Sequence, residues 1–385
     1  MKIGILTQPL LNNYGGLLQN FALQKVLKSM GNEVETIDWH PIKENAIKEW
    51  LYYQKMLFLS SLKKDAQRPK YQVTDSEAII IGRNTRHFVE KYINVCPQKA
   101  RKPEDFAGID EEYGYDAYIV GSDQVWRPRY NGAMTPAMFF DFIKREDVKR
   151  IAYAASFGTS EWEFTPSMTE ICALLAQNFD LITVREKTGV DLCREYLGVK
   201  AQHVLDPTML LFKEDYENLV KEEDEPASEG TLFHYILDPS AEKKALIEKV
   251  AGVQRLKPFT IMPKCQAENR TREDVKKHIE DCVFPSVTRW LRGFMDARMV
   301  IVDSFHGAVF SIIFNKPFWV LANAKRGNAR FDSLLSMFGL KDRMISTDSL
   351  SRDFDWNKEI DWGKVNDIRQ KEISRCKSLL EEALK

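Results

Sequence analysis

The chain has 385 residues, a length at which a single hydrophobic core stops growing and two domains become the expectation. Hydrophobic residues make up 44% and charged residues 29%, which excludes a disordered or fibrous chain. With 55 Lys and Arg against 56 Asp and Glu the formal net charge is −1, so nothing draws the whole chain to nucleic acid or an anionic membrane, and any anion must be bound locally.

The opening run, Lys2 to Thr7, is strand-length, too short for the apolar core of an export signal, and no stretch approaches a membrane span. Six cysteines show no CxxC pairing and no metal-ligand spacing with the six histidines. A reduced cytoplasm is therefore expected, with no metal, no nucleic acid and at most peripheral membrane contact, at the inner face. The first run leads through Asn12-Asn13-Tyr14-Gly15-Gly16 into a helix with Leu17, Leu18, Phe21, Val26 and Leu27 at helical spacing, stopped by Gly31. Val34 to Trp39 reads as the next strand of a βαβ unit. The stretch near 40–114 is charged and aromatic and reads as a partly helical insertion.

Core strands resume at Ala117–Gly121, Arg150–Ala155, Leu181–Arg185 and His203–Asp206, all ending in small, polar or charged residues. In open parallel sheets ligands bind beyond such carboxyl ends. Residues 221–230 are charged and contain Pro226 and Gly230, which marks a linker. A second α/β set follows, with strands at Leu232–Leu237, Phe259–Met262, Met299–Val302 and Phe318–Leu321, and the tail from Trp362 to Leu384 reads as an amphipathic helix.

The most informative segment is Met299-Val300-Ile301-Val302-Asp303-Ser304-Phe305-His306-Gly307. A buried strand runs into two capping residues and a helix, placing His306 in the first turn, where unpaired backbone N–H groups favour an anion and Gly307 admits a close approach. Two readings fit His306: a proton carrier or anion donor, or a histidine that satisfies a buried polar neighbour at the cap. Asn13, Tyr14, Gly15 and Gly16 read as a ligand-facing loop or as a capped turn. Arg185 reads as a carboxylate or phosphate clamp, or as the ion-pair partner of Glu186 or Asp206. Asp123 and Trp126, in Gly121-Ser122-Asp123-Gln124-Val125-Trp126, have sugar-binding composition. Arg326 and Arg330 lie in a basic loop that faces either an anion or solvent.

In order along the chain, Asn13-Tyr14-Gly15-Gly16, Tyr118-Ile119-Val120-Gly121-Ser122-Asp123, Thr183-Val184-Arg185-Glu186, Val204-Leu205-Asp206-Pro207 and Val302-Asp303-Ser304-Phe305-His306-Gly307 followed by Lys316-Pro317 resemble the polysaccharide pyruvyltransferase family, from Lys2 to about Leu340. The resemblance implies an α/β fold of two Rossmann-like domains facing a cleft, glycosyltransferase-B-like: residues 1–220 with the helical insertion, a linker at 221–230, a second domain at 231–345, and a segment 346–385 whose helix packs back on the first domain. It implies transfer of pyruvate from phosphoenolpyruvate to a sugar hydroxyl pair of a glycan or lipid-linked saccharide, as a ketal, in cell-surface polysaccharide assembly, with no further cofactor. By position, His306 would be the general acid or phosphate-side donor. Arg185, Ser304, Gly307, Arg326 and Arg330 would border the phosphoenolpyruvate, and Asn13, Tyr14, Gly15, Gly16, Asp123 and Trp126 the acceptor. Many members carry Arg-Leu-His-Gly where this chain has Ser304-Phe305-His306-Gly307, so the positive charge is missing at Ser304. A nucleotide-sugar glycosyltransferase and a noncatalytic glycan-binding protein on the same fold are the alternatives.

Overall fold

The computed structural model describes residues 1–40, 54–55, 71–322, 328–346 and 354–385. Among these the strands form two sheets, and every pairing in them is parallel. The first has the order β2-β1-β3-β4-β5-β6, from β1 (Lys2–Leu6), β2 (Glu33–Thr36), β3 (Ala117–Val120), β4 (Lys149–Ala155), β5 (Leu181–Val184) and β6 (Gln202–His203). The second has the order β11-β10-β9-β7-β8, from β7 (Leu232–Tyr235), β8 (Pro258–Phe259), β9 (Met299–Val302), β10 (Phe318–Leu321) and β11 (Met344–Ile345). The central strands β3, β9 and β10 are buried at every position, as runs covered on both faces must be.

Helix α1 (Tyr14–Ser29) follows β1, and the chain leaves it through Gly31 at φ 84°, a left-handed turn that glycine adopts without penalty. In the expected insertion, residues 41–53 and 56–70 lie outside the described residues. The rest carries α2 (Asp75–Ile81), opened by a Thr74–Glu77 capping box, α3 (Arg83–Tyr92) and α4 (Asp105–Tyr113). It reaches the second half of the chain: Phe284 N donates to Ile81 O at 3.0 Å, Tyr71 N to Glu268 O at 2.9 Å, and Arg83 pairs with Glu280.

Residues 221–230 begin as the end of α5 (Lys213–Glu222) and are then fastened down. Glu225 accepts from Ser286 and Thr288, and Ser228 N donates to Asp296 at 2.7 Å, so the connection is bound to both ends of α6 (Val287–Asp296). One apolar cluster runs through both halves, with Tyr14 of α1 against Tyr235, Phe284 and Trp290. The C-terminal helix α7 (Trp362–Ala383) packs back on the first half as expected. It buries Val365, Ile373, Cys376 and Leu380, and Arg369 donates to the carbonyls of Met209 and Leu211.

Candidate active site

The carboxyl ends of β1, β2, β3, β7 and β9 open on a cleft of about 2220 Å³. Its floor on the second side is the turn from β9 into α8 (Phe305–Ile313). Asp303 is consumed structurally: its carboxylate accepts from Leu237 N at 2.6 Å, Asp238 N at 3.1 Å and Lys243 Nζ at 2.6 Å, tying the exit of β7 to that of β9. Ser304 caps α8, its hydroxyl accepting from Gly307 N at 3.3 Å. That bond occupies the N–H expected to meet an anion. A Cβ on Gly307 would stand 2.7 Å from Val302 Cγ1, so this glycine serves the packing of helix on strand rather than the approach of a ligand.

His306 is 8% exposed, lines the cleft and places Nε2 3.5 Å from Asp206 Oδ2. This is an ion-pair distance but long for a hydrogen bond, and Nε2 has no hydrogen-bond partner. Asp206 is fixed from every other direction. Oδ2 accepts from Ser122 Oγ at 2.7 Å and Arg185 Nη1 at 2.9 Å, while Oδ1 accepts from Thr208 N at 3.0 Å and Thr208 Oγ1 at 2.6 Å. Burial pushes this carboxyl up, but His306, Arg185 and Thr208 together outweigh it and hold it well below the usual carboxylate range. The result is an ionised, immobile carboxylate facing His306 Nε2, which is buried against it and makes no hydrogen bond.

Arg185 does not line the cleft. It is buried behind the dyad, its guanidinium over the Phe305 ring at 4.4 Å, with Glu186 Oε1 and Asp123 Oδ1 each 3.8 Å away. Its ion-pair reading is the one the geometry supports, although Nε and Nη2 make no hydrogen bond. Glu186 accepts from Ser156 Oγ in a short bond, and burial pushes its carboxyl up against the opposing pull of Arg185. Arg330, near the start of α9 (Ala329–Met337), does line the cleft. Burial first, and then the Arg185 charge, push Arg330 down to about 10, which leaves it charged at neutral pH, and its Nε makes no hydrogen bond. Arg326 lies outside the described residues.

From the first half, Asn13 and Gly15 line the cleft. Gly15 Cα backs directly onto the His306 ring: a Cβ there would lie 2.0 Å from Nδ1. Gly16 faces Asn13 and Asp123, which are joined by Asn13 Nδ2 donating to Asp123 Oδ2 at 2.9 Å. Asp123 sits at φ 80°, a backbone conformation that an aspartate adopts only at a cost, and this holds its carboxylate at the cleft. Gly16 itself, Trp126 and Tyr14 do not line the cleft. Trp126 is fully buried, stacked on Phe139 with Nε1 donating to Met138 O at 3.0 Å. Tyr14 is fully buried too, its hydroxyl donating to Pro285 O at 2.9 Å. Asp206, read in the sequence as a possible partner of Arg185, and Ser122 were not named there as site residues; the strand-end position of Leu205-Asp206-Pro207 was the available signal.

Among the described residues no group of His, Cys, Asp or Glu side chains is arranged to hold a metal ion, and no helix is long and apolar enough to cross a membrane.

Two parallel α/β sheets with an aspartate–histidine couple in the cleft between them define a Rossmann-like protein of the two-lobed, cleft-forming class. The chain belongs to the polysaccharide pyruvyl transferase family, whose model matches residues 13–325. No curated protein matches it. Among solved structures it is similar to the UDP-GlcNAc 2-epimerase of Methanocaldococcus jannaschii in complex with UDP-GlcNAc and UDP, at 10% identity and TM-score 0.48 over 96% of this chain and 99% of that one. It is also similar to the Neisseria meningitidis UDP-GlcNAc 2-epimerase bound to UDP-GlcNAc, at 10% identity and TM-score 0.48 over 100% and 99% of the two chains. A third is the S. aureus MnaA–UDP structure, at 10% identity and TM-score 0.47 over 98% and 90%.

Proposed function

We propose that the protein transfers pyruvate from phosphoenolpyruvate to two hydroxyls of one sugar, forming a cyclic ketal on a glycan or lipid-linked saccharide during surface-polysaccharide assembly in the cytoplasm. The observation that carries this reading is the cleft-lining His306 with its Nε2 set 3.5 Å from the Asp206 carboxylate.

The reaction needs a proton delivered to the methylene carbon of the enol phosphate, which makes the adjacent carbon electrophilic. Attack by one sugar oxygen, departure of phosphate with its C–O electron pair, and attack by the second oxygen complete the ketal. His306, oriented by Asp206, delivers the first proton. Arg330, one of the cations that line the cleft, takes the donor's carboxylate or phosphate in place of the arginine absent at Ser304. Asp123, held by Asn13 Nδ2 and Gln124 N, faces the acceptor side as a base for its hydroxyls. Arg185 acts from behind by keeping Asp206 ionised.

Thermal melting with phosphoenolpyruvate, and separately with UDP, tests the donor. A rise with phosphoenolpyruvate, together with phosphate release that depends on a methyl glycoside from a panel and is abolished in His306→Gln, is the expected result. A rise with UDP alone would replace this reading with nucleotide-sugar glycosyl transfer. Undiminished glycan binding in His306→Gln, without phosphate release by wild type, would leave a binding protein.

A further inference from the structure

Away from His306 the cleft is lined by Cys96, Cys265 and Cys282, none of which the proposed reaction uses, and the last two stand together. Cys265 and Cys282 are 17 positions apart in sequence, yet their sulfurs approach to 3.1 Å, and both are free thiols. The backbone brings them together, since Cys265 N donates to Asp281 O at 3.0 Å. They close the base of a loop that includes the short helix Arg272–Lys277, capped by Thr271. Cys282 is 1% exposed and packs with Tyr71, Ile81, Ala267 and Val275, whereas Cys265 is half-buried, and both border the cleft. The other four cysteines are buried.

The same loop is where the second half of the chain meets the insertion of the first. Tyr71 N donates to Glu268 O at 2.9 Å and Phe284 N to Ile81 O at 3.0 Å, with the Arg83–Glu280 pair at 2.6 Å beside them. A covalent bond at the base of this loop would fix the wall that both halves share.

We infer that Cys265 and Cys282 form a reversible oxidation site, closed to a disulfide by a peroxide. The thiolate of Cys265, the sulfur open to the cleft, attacks one peroxide oxygen. The O–O bond breaks, and the departing hydroxide takes up the thiol proton as water, leaving Cys265 as a sulfenic acid. The Cys282 sulfur then displaces hydroxide from the Cys265 sulfur. The S–S bond forms, the S–O bond breaks, and the Cys282 proton leaves with the hydroxide as a second water. Two thiols and one peroxide thus give one disulfide and two waters. The order follows from the surroundings: burial, and then the hydrogen bond with Cys265, push the Cys282 thiol up to about 12, so Cys282 resolves rather than initiates. Closing the loop restricts the unfolded chain and resists local opening of the segment between the two cysteines.

The test treats the reduced full chain with hydrogen peroxide, blocks remaining thiols with N-ethylmaleimide in denaturant, and maps the peptides by mass. The expected product joins the Cys265 and Cys282 peptides with the loss of two hydrogens, is released by dithiothreitol, and leaves the other four cysteines as maleimide adducts. The oxidised protein should also melt several degrees higher and resist proteolysis between the two cysteines. Cys282→Ser should leave a Cys265 sulfenic acid that dimedone traps, and Cys265→Ser should leave Cys282 as a thiol. Recovery of both wild-type cysteines as maleimide adducts would overturn the inference. So would Cys265 sulfinic acid beside an unreacted Cys282, or a bridge to any other cysteine. The wild-type map decides the question even where a serine variant fails to fold.

Discussion

Replacing Gly15 with alanine tests the active-site geometry with a single methyl group. That carbon would lie 2.0 Å from His306 Nδ1, 2.2 Å from Cγ and 2.7 Å from Cε1. Comfortable non-bonded contact begins near 3.5 Å, so the ring must withdraw by about 1.5 Å. The His306–Asp206 approach of 3.5 Å is already long, and such a shift removes it. Misplacement of a reacting group by about 1 Å costs on the order of 100-fold in rate, which sets the expected loss of phosphate release from phosphoenolpyruvate. Stability should not follow the same course. Gly15 lies in the first turn of α1 with no positive φ, where alanine is favoured over glycine by up to about 1 kcal/mol, enough to offset an off-rotamer histidine at about 0.5–1.5 kcal/mol. Initial rates and melting curves on the same samples, with imidazole nitrogen shifts to follow the ring, separate the two effects. A variant that keeps its rate to within about threefold of wild type, or that loses rate only as it unfolds, would refute the placement of His306 as proton donor against Gly15.

Gly307→Ala meets a different neighbour. Its Cβ would stand 2.7 Å from Val302 Cγ1 and 2.9 Å from Val302 Cβ, a β-branched side chain in a buried strand, so urea unfolding should show a loss of about 1–3 kcal/mol. Asp206→Asn should cost about 3–5 kcal/mol near neutral pH by leaving Arg185 without its buried partner. The folded carboxyl is depressed, so its contribution to stability is present above the ordinary aspartate value of about 3.9 and is lost as the pH falls below it. The melting-temperature gap between wild type and variant should therefore narrow in acid, and an equal gap at pH 3 and pH 7 would contradict the assignment. Arg369→Leu removes donors to the Met209 and Leu211 carbonyls; faster amide exchange across Trp362–Ala383, with α8 unchanged, is expected from the loss of about 2 kcal/mol of local stability.

The strands that were legible in the sequence are those whose whole surface is buried. Met299–Val302 and Phe318–Leu321 are uninterrupted apolar runs, and the observed β9 and β10 coincide with them. His203–Asp206 was expected as a strand, but only Gln202–His203 is one; the chain leaves the sheet edge so that Asp206 can turn beneath His306. Trp126 shows the limit of local reading. Gly121 to Trp126 has the composition of a binding loop, but Phe139, Phe157 and Phe179 enclose the indole, and all three arrive from later in the chain. Gly15 was read with Asn13, Tyr14 and Gly16 as a ligand-facing loop or a capped turn. What comes up against its backbone is the chain's own His306, which lies almost three hundred residues further along. A local signal can state that space is required without naming what fills it.

The same reasoning explains how the site keeps positive charge without an arginine at Ser304. The serine hydroxyl is spent on the helix cap, and the position is 7% exposed, so little of it reaches the cleft. Arg185 cannot substitute directly, because its Nη1 holds Asp206 and Ser122 and its guanidinium lies against Phe305, behind the dyad. Arg330 enters from α9 and borders the cleft with Nε unsatisfied. The Arg185 charge opposes that of Arg330, and the carboxylates of Glu186 and Asp123 favour the charged form of both guanidinium groups. An incoming dianion or trianion would relieve that opposition, whereas a neutral ligand would not. On the proposed reading, the charge arrangement suits an anionic donor at Arg330, while Arg185 is committed by its burial to the Asp206 carboxylate.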